Sequence, residues 1–513
     1  PGSYLRQVDA RNRQLDGTEG WYIPSQQGCG LVLTIDAEIQ EMVEKAMREC
    51  IEVNQAQSVI CLVSDVKTGA ILAMCMNPCY DPNDPPRNDA ETLTELMRLT
   101  AISDVYEPGS TFKILTAASA LDSGVTTPQD SFYCSAKITV DGDTIRCWGR
   151  PHGAETMADG LKNSCNPVFV ELALRMGTDT FYRYLTAFGL GKKTGIDLPG
   201  ESPGILITSR NVKRVDLARI GFGQSVALTP IQMMMAANSV INGGKLMKPY
   251  IVSEIQTPDG ETLERFHPTV MAAPIRPETS DTMRLLLERV VSEGGGKNAA
   301  IAGYRIGGKT GTAQVYKNGR VVRDTHIGSF YGFAPVNDPQ VSILVIVKEA
   351  DVPIDYGGTT AAPFARQIMQ EMLPYLGIEP ENDEKDEEIE VPALKGLTIG
   401  DAKRKLSQVG LESVTDGANT VVLDQLPPAG AKLVKGGHVM LYTAGSEELT
   451  PEELVCVPDL TGLGDVDCAR LVRQRGLMMS MTGQGLCTEQ SPAAGEYVQP
   501  GTTIFLLMAG DDE

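Results

Sequence analysis

The end of this chain is written twice. Val391-Pro-Ala-Leu-Lys-Gly396 returns as Val457-Pro-Asp-Leu-Thr-Gly462, Gly410-Leu411 as Gly476-Leu477, and Pro427-Pro-Ala-Gly430 as Ser491-Pro-Ala-Ala-Gly495. Each copy then closes on a short apolar strand, Val439-Met-Leu-Tyr442 and Thr503-Ile-Phe-Leu-Leu507. Units of roughly 60 residues, each with one helix and a few strands, fit these signals. The repeat sets two small modules at 391–445 and 456–513, with 446–455 as the link between them. Ahead of them, the stretch 377–390 contains Glu379-Pro-Glu-Asn-Asp-Glu-Lys-Asp-Glu-Glu-Ile-Glu390. Like charges with a proline cannot bury a core, so this stretch is expected to be a solvated, extended linker.

What precedes the linker is one large region, 31–376. The 513-residue chain is too long for a single core, and 42% hydrophobic with 22% charged residues is a globular mix, not a disordered one. Val59-Ile-Cys-Leu-Val63 and Ala70-Ile-Leu-Ala-Met74 read as strands around the turn Ser64-Asp-Val-Lys-Thr-Gly69. Thr229–Ile241 reads as a buried helix with Pro230 in its first turn, and Val341–Val347 as a buried strand. This mixture predicts an α/β (α+β) domain. Residues 1–30 are polar, lack apolar periodicity and read as the tail of a preceding domain. The net charge of −21 repels phosphate, which sets nucleic acid aside as a partner. No apolar run is long enough to cross a bilayer, and no signal peptide opens the chain at Pro1. A membrane anchor is expected in the full-length protein.

Acyl transfer by serine needs a nucleophile, a base, a proton path to the leaving group and an oxyanion site. Ser-x-x-Lys at the start of a helix supplies the first two, because residues three apart share a helical face. Glu107-Pro-Gly-Ser110-Thr-Phe-Lys113 fits, with the apolar run Ile114–Leu121 behind it. A helix N-terminus also favours developing negative charge. The motif alone decides nothing, since Ser64-Asp-Val-Lys67 matches equally well. Lys-Thr-Gly occurs at Lys67, Lys193 and Lys309, and Ser-x-Asn at Ser164-Cys-Asn166 and Ser209-Arg-Asn211. Context separates them. Lys67 lies in a turn between two strands, and Lys193 leads into the loop Gly195-Ile-Asp-Leu-Pro-Gly200. Lys309-Thr310-Gly311-Thr312 sits in the strand-like run Tyr304–Val315, whose glycines let a ligand approach the backbone. Ser164-Cys-Asn166 precedes Pro167 and the apolar Val168–Leu174, a loop entering a helix.

The ordered set Ser110-Thr-Phe-Lys113, Ser164-Cys-Asn166 and Lys309-Thr-Gly311 resembles the penicillin-binding proteins over Leu31 to about Leu376. Leu33-Thr-Ile-Asp-Ala-Glu-Ile-Gln40, Gly221–Pro230 and Ser329–Pro335 are similar to the class B members, the monofunctional D,D-transpeptidases. The terminal repeats resemble PASTA modules. With the Cys of Ser164-Cys-Asn166, they look most like the sporulation branch of that class.

The resemblance implies that Ser110 attacks the carbonyl between the two terminal D-Ala residues of a stem peptide. Lys113 takes its proton as a neutral amine, its acidity raised by burial and by Lys309. Ser164 relays the proton to the leaving D-Ala, and Asn166 holds the stem-peptide amide. Lys309, Thr310 and Thr312 bind the terminal carboxylate, beside Gly311. The N–H groups of Ser110 and Thr312 form the oxyanion hole. The same resemblance implies β-lactams as acylating ligands and an extracytoplasmic site of action. It also implies a separate glycan polymerase as partner and no cofactor for the chemistry. Two other functions use the same motifs. A β-lactamase would need a deacylating base, and a wall or β-lactam sensor would need a signalling segment; neither is identified.

Cys134, Cys147, His152 and Cys165 fall within a short span. Asp141-Gly142 signals a hairpin that sets Ala136 opposite Cys147, with Cys134 as diagonal neighbour. Three readings stand open: buried thiols, a tetrahedral zinc site and a disulfide. Asp159 is an alternative fourth ligand to Cys134. His267, His326 and His438 are isolated and read as surface or structural residues.

Overall fold

In a computed structural model, residues 2–5, 7–11, 13, 21–25, 27–317, 320–380, 388–415, 421–434, 437–442, 455–483, 485–495, 497–498 and 502–509 are described. The chain packs as two units. One holds 1–393 with 403–414 and 426–440, and the other holds 394–402, 415–425 and 441–513.

The first unit is built on a five-stranded sheet. Asp36 caps helix α1 (Ala37–Val53) by accepting from the Glu38 and Ile39 N–H groups at 3.0 and 3.1 Å. Strands β1 (Ser58–Asp65) and β2 (Ile71–Asn77) follow, with Lys67 in the turn. Four helices come next: α2 (Lys113–Asp122), α3 (Asn166–Ala187), α4 (Pro230–Ile241) and α5 (Pro277–Ser292). Strands β3 (Gly307–Lys317), β4 (Arg320–Ala334) and β5 (Val341–Lys348) and helix α6 (Ala362–Tyr375) complete it. The strand order is β3-β4-β5-β1-β2, antiparallel throughout.

Both faces of this sheet are buried, which explains why β1 and β5 read as unbroken apolar runs. Val59, Cys61, Val63, Val345 and Val347 point into one core with Ile39 and Met47 of α1 and Ile368 and Met372 of α6. Ile60, Leu62, Leu344 and Ile346 point into the other with Leu115, Val168, Met233 and Leu287. Helix α4 is buried throughout and starts with a Thr229–Gln232 capping box and Pro230 in its first turn.

Residues 1–30, read as the tail of a preceding domain, include a short strand pair, Ser3–Leu5 with Trp21–Ile23. Of the expected linker 377–390, residues 381–387 lie outside the described residues, and Ile378 is not solvated but buried in the core under helix α6. The linker's last residues, Glu388–Glu390, are a strand paired with Lys432–Val434, so the first module starts before Val391. That module contains helix Ile399–Gln408 and strands Glu412–Thr415, Asp424–Leu426 and His438–Tyr442. The second begins at strand Val455–Cys456. Its helix Asp465–Gln474 accompanies a sheet ordered Met478–Gly483, Thr503–Ala509, Leu486–Ser491.

Candidate active site

The serine turn is set by backbone contacts that exclude side chains. Gly109–Phe112 is a 3-10 turn that feeds α2, so Ser110 stands one turn ahead of the α-helix proper. Gly109 has φ +53°, and its N–H donates to Gly223 O at 3.0 Å. A Cβ there would meet Thr312 O at 2.5 Å, so the nucleophile turn lies directly against β3.

Five side chains converge. Lys113 Nζ lies 3.0 Å from Ser110 Oγ, 2.7 Å from Asn166 Oδ1, 2.6 Å from Ser164 O and 3.2 Å from Ser164 Oγ. Ser164 sits at φ +55° just before α3, which turns both its carbonyl and its hydroxyl toward the lysines. Lys309 Nζ, from β3, donates to Ser164 Oγ at 3.0 Å and to Thr310 O at 3.0 Å. Thr310 and Thr312 alternate with Lys309 along the strand and are part-exposed.

Both lysines are fully buried. Burial pulls Lys113 down to about 7, opposed by the nearby Cys147, Cys165 and Glu155. Lys309 is pulled well down by burial and then by Lys113. Burial is thus the main cause at both lysines, and their mutual repulsion adds to it at Lys309. Neutral Lys113 suits its contacts. Ser164 O and Asn166 Oδ1 only accept, so they take its two N–H bonds, and the lone pair faces the hydroxyls. Asn166 Nδ2 donates to Arg146 O at 3.0 Å, which fixes Oδ1 on Lys113.

The rival motifs are elsewhere. Ser64 is buried against Asn238 Nδ2 at 3.3 Å, and Lys67 makes a surface pair with Asp338 at 2.6 Å. Lys193 is in a loop where Glu201 accepts from Thr194. Asn211 lies in a turn ahead of helix Arg214–Ile220.

The sulfur cluster closes beside Asn166. The hairpin turn at Asp141-Gly142 has φ +49° and +90°, and Cys147 N–H donates to Ala136 O at 2.7 Å. Cys134, Cys147, His152 and Cys165 bring their ligand atoms within 4.8 Å of one another. Cys147 Sγ is 3.8 Å from His152 Nδ1. No disulfide joins any of the eleven cysteines in this structure. The Cys147 thiol is pushed down to about 5, first by a hydrogen bond from Cys165, whose own thiol is pushed up in turn. Asp159 is not among these donors. It caps helix Met157–Lys162 with Thr156 and pairs with Lys162 and Arg289, both at 3.2 Å. His326 pairs with Asp355 at 2.8 Å, and His438 lies 3.6 Å from Glu412.

Two neighbours escaped the sequence. Glu155 is buried on the Gly153–Thr156 strand, with Oε2 accepting from Asn163 Nδ2 at 3.1 Å and Oε1 3.8 Å from His152 Nδ1. Trp148 donates its indole N–H to Asn163 O at 2.9 Å and props the turn before Ser164. A tryptophan placed between Cys147 and His152 in an otherwise polar stretch was the available signal.

A serine on a helix-entry turn, two buried lysines and a bridging serine define a lysine-activated serine acyltransferase. Residues 59–370 match the penicillin-binding protein transpeptidase domain, and 389–445 and 455–510 match the PASTA domain. The chain belongs to the penicillin-binding protein transpeptidase family and carries two PASTA domains. It is 37% identical to stage V sporulation protein D of Bacillus subtilis over 87% of this chain and 70% of that protein. It is 30% identical to the peptidoglycan D,D-transpeptidase FtsI of Escherichia coli over 74% of this chain and 62% of that protein. Penicillin-binding protein 3 of Mycobacterium tuberculosis, solved in complex with aztreonam, aligns at a TM-score of 0.65 and 26% identity, covering 73% of this chain and 88% of that one.

Proposed function

We propose that this chain is a peptidoglycan D,D-transpeptidase of the sporulation type, acylated at Ser110 by stem peptides ending in D-Ala-D-Ala and by β-lactams. The observation that carries the reading is Lys113, buried and held between Ser110 and Ser164.

Ser110 Oγ attacks the carbonyl carbon of the penultimate D-Ala as Lys113 Nζ takes its proton. The oxyanion faces the N–H groups of Ser110 and Thr312. Ser164, within reach of both lysines, passes a proton to the leaving nitrogen; the C–N bond breaks and D-Ala departs. Lys309 binds the terminal carboxylate together with Thr310 and Thr312, and that charge offsets the cost of its burial. The second Nδ2 proton of Asn166 is left for the stem-peptide amide. An amine from a neighbouring strand then attacks the ester, and Ser110 recovers its proton. Labelling with a fluorescent penicillin and mapping the labelled peptide tests this reading. The label belongs on the Ser110 peptide, and a label elsewhere overturns it.

This reading includes an extracytoplasmic site of action and a membrane anchor in the full-length protein. Among the described residues, no helix is long and apolar enough to cross a membrane. A separate glycan polymerase supplies the strands to be joined.

A structural zinc belongs to the reading as well. Cys134, Cys147, His152 and Cys165 are the donor set, and the chemistry fits. A tetrahedron with Zn–S bonds of about 2.3 Å has edges of about 3.8 Å, so donors within 4.8 Å close on an ion with small shifts. Cys147 is the more acidic thiol of the pair it makes with Cys165. Buried Glu155 lies at the edge of the cluster, its Oε1 3.8 Å from His152 Nδ1. The ion would hold the Ser164–Asn166 loop and supply no catalytic step. Elemental analysis tests it, with about one zinc per chain expected.

A further inference from the structure

The second module contains two cysteines that the acyl-transfer chemistry does not use. Cys468 is on helix Asp465–Gln474 and Cys487 on strand Leu486–Ser491. Both are closed to solvent, at 0% and 2% exposure. One turn brings them together. Gly462 N–H donates to Cys487 O at 2.7 Å, and Cys487 N–H donates to Leu463 O at 2.9 Å. Cys468 Sγ reaches the same turn, 3.7 Å from Leu460 O and 3.6 Å from Leu463 O. Cys487 Sγ points to Glu489 O at 3.4 Å, and each thiol is near enough to bear on the other's acidity.

The first module is an internal control. Its equivalent turn makes the same bonds, Gly396 N–H to Val422 O at 2.8 Å and Val422 N–H to Leu397 O at 2.9 Å. Val422 therefore stands where Cys487 does. Ala402, fully buried on helix Ile399–Gln408, stands where Cys468 does. Packing at this place is met by an alanine and a valine. Both positions are sulfur in the second module, and both residues bond to Leu463 O of one turn. If the cysteines were only small apolar fillers, nothing would couple the two replacements. The remaining cysteine of that module, Cys456, is part-exposed and turns its Sγ to Val457 O at 3.8 Å.

We infer that Cys468 and Cys487 form a disulfide that staples the helix to the strand in the second module. The oxidant is a small disulfide of the glutathione class. One cysteine thiolate attacks it, releasing one thiol and leaving a mixed disulfide; the second cysteine displaces the other thiol. The two cysteines give up two protons and two electrons, and the oxidant becomes two thiols. Burial raises both thiols above their ordinary range and shields them, so the bond forms during folding or on local opening.

The test uses the full chain, unfolded and refolded in a buffer of reduced and oxidised glutathione, then alkylated and mapped without reduction. The expected result is a cross-linked peptide joining Cys468 to Cys487, with Cys456 alkylated. The melting transition of the second module should rise by roughly 10 °C over the reduced protein. The C468A/C487V double variant, which restores the pair found in the first module, should fold and show no redox-dependent shift. Alkylation of both cysteines after refolding overturns the inference, as does capture of either as a glutathione adduct or pairing with Cys456. A cross-link without a rise in the transition overturns its role as a staple.

Discussion

Ser164 Oγ accepts a hydrogen bond from Lys309 Nζ at 3.0 Å. Lys113 Nζ is 3.2 Å away on the other side, so one hydroxyl joins two buried amines that cannot both carry charge cheaply. A proton taken from Ser110 by Lys113 has one direct route toward the leaving group, through Ser164. Ser164→Ala should therefore slow acylation by a β-lactam by roughly 100-fold or more while the fold persists. Stopped-flow acylation kinetics measure it, and a rate within threefold of wild type would remove Ser164 from the relay.

Ser110→Ala should abolish penicillin labelling with an unchanged circular dichroism spectrum. Ser64→Ala is the matched control. Ser64 is buried in β1 against Asn238, away from any lysine amine, so its loss should cost stability and leave labelling intact. Labelling of the Ser110 variant would sink the assignment.

Lys309→Ala should weaken acylation by roughly 100-fold, because the ligand carboxylate loses a charge-assisted partner. Lys67→Ala should change little, since Lys67 makes an exposed pair with Asp338. Lys193, in its loop, should behave like Lys67. Equal acylation by wild type and Lys309→Ala would show that another Lys-Thr-Gly serves the site.

Acylation should follow the protonation of Lys113. The reactive form is the neutral amine, and burial brings its pKa to about 7. The rate should therefore be level above neutrality and fall as pH drops through about 7, approaching tenfold per unit below it. A profile flat from pH 5 to 8 would exclude Lys113 as the base.

Much of this was legible in the sequence, for reasons tied to particular residues. Ser110, Ser164 and Lys309 were separated from their rivals by flanking structure alone. A Ser-x-x-Lys between two strands cannot share a helical face, and Ser64 does not. The Asp141-Gly142 hairpin and the Ala136–Cys147 pairing followed from turn chemistry. What the sequence hid were through-space effects. Lys113 acquires Cys147, Cys165 and Glu155 as neighbours, which oppose the lowering that burial imposes on it. Asp159 looked free to bind a metal, but its helix cap and two cations engage it. Glu155 had no motif to announce it. The strand Glu388–Glu390 lay inside an acidic run whose charge predicted a linker, because its partner Lys432–Val434 is far away in sequence.

Cys165 is enclosed by Ser164 and Asn166, so whatever the sulfur cluster holds also holds the catalytic loop. Cys134 at its strand end, Cys147 just past the hairpin, His152 before the Gly153–Thr156 strand and Cys165 at the entry to α3 would hold a zinc, whose binding energy would add to folding. Removal by a strong chelator should lower the melting temperature by several degrees and slow acylation roughly tenfold or more, because Asn166 and Ser164 lose their fixed placement on Lys113. Cys147→Ser should reproduce both effects and make the protein insensitive to chelator. Thermal melts and acylation rates, each with and without chelator and with zinc restored, separate the alternatives. If reductant lowers both quantities and chelator does not, a disulfide holds the loop. If neither reagent acts and Cys134, Cys147 and Cys165 titrate as free thiols in the unfolded protein, these residues are packing groups and the zinc site is withdrawn.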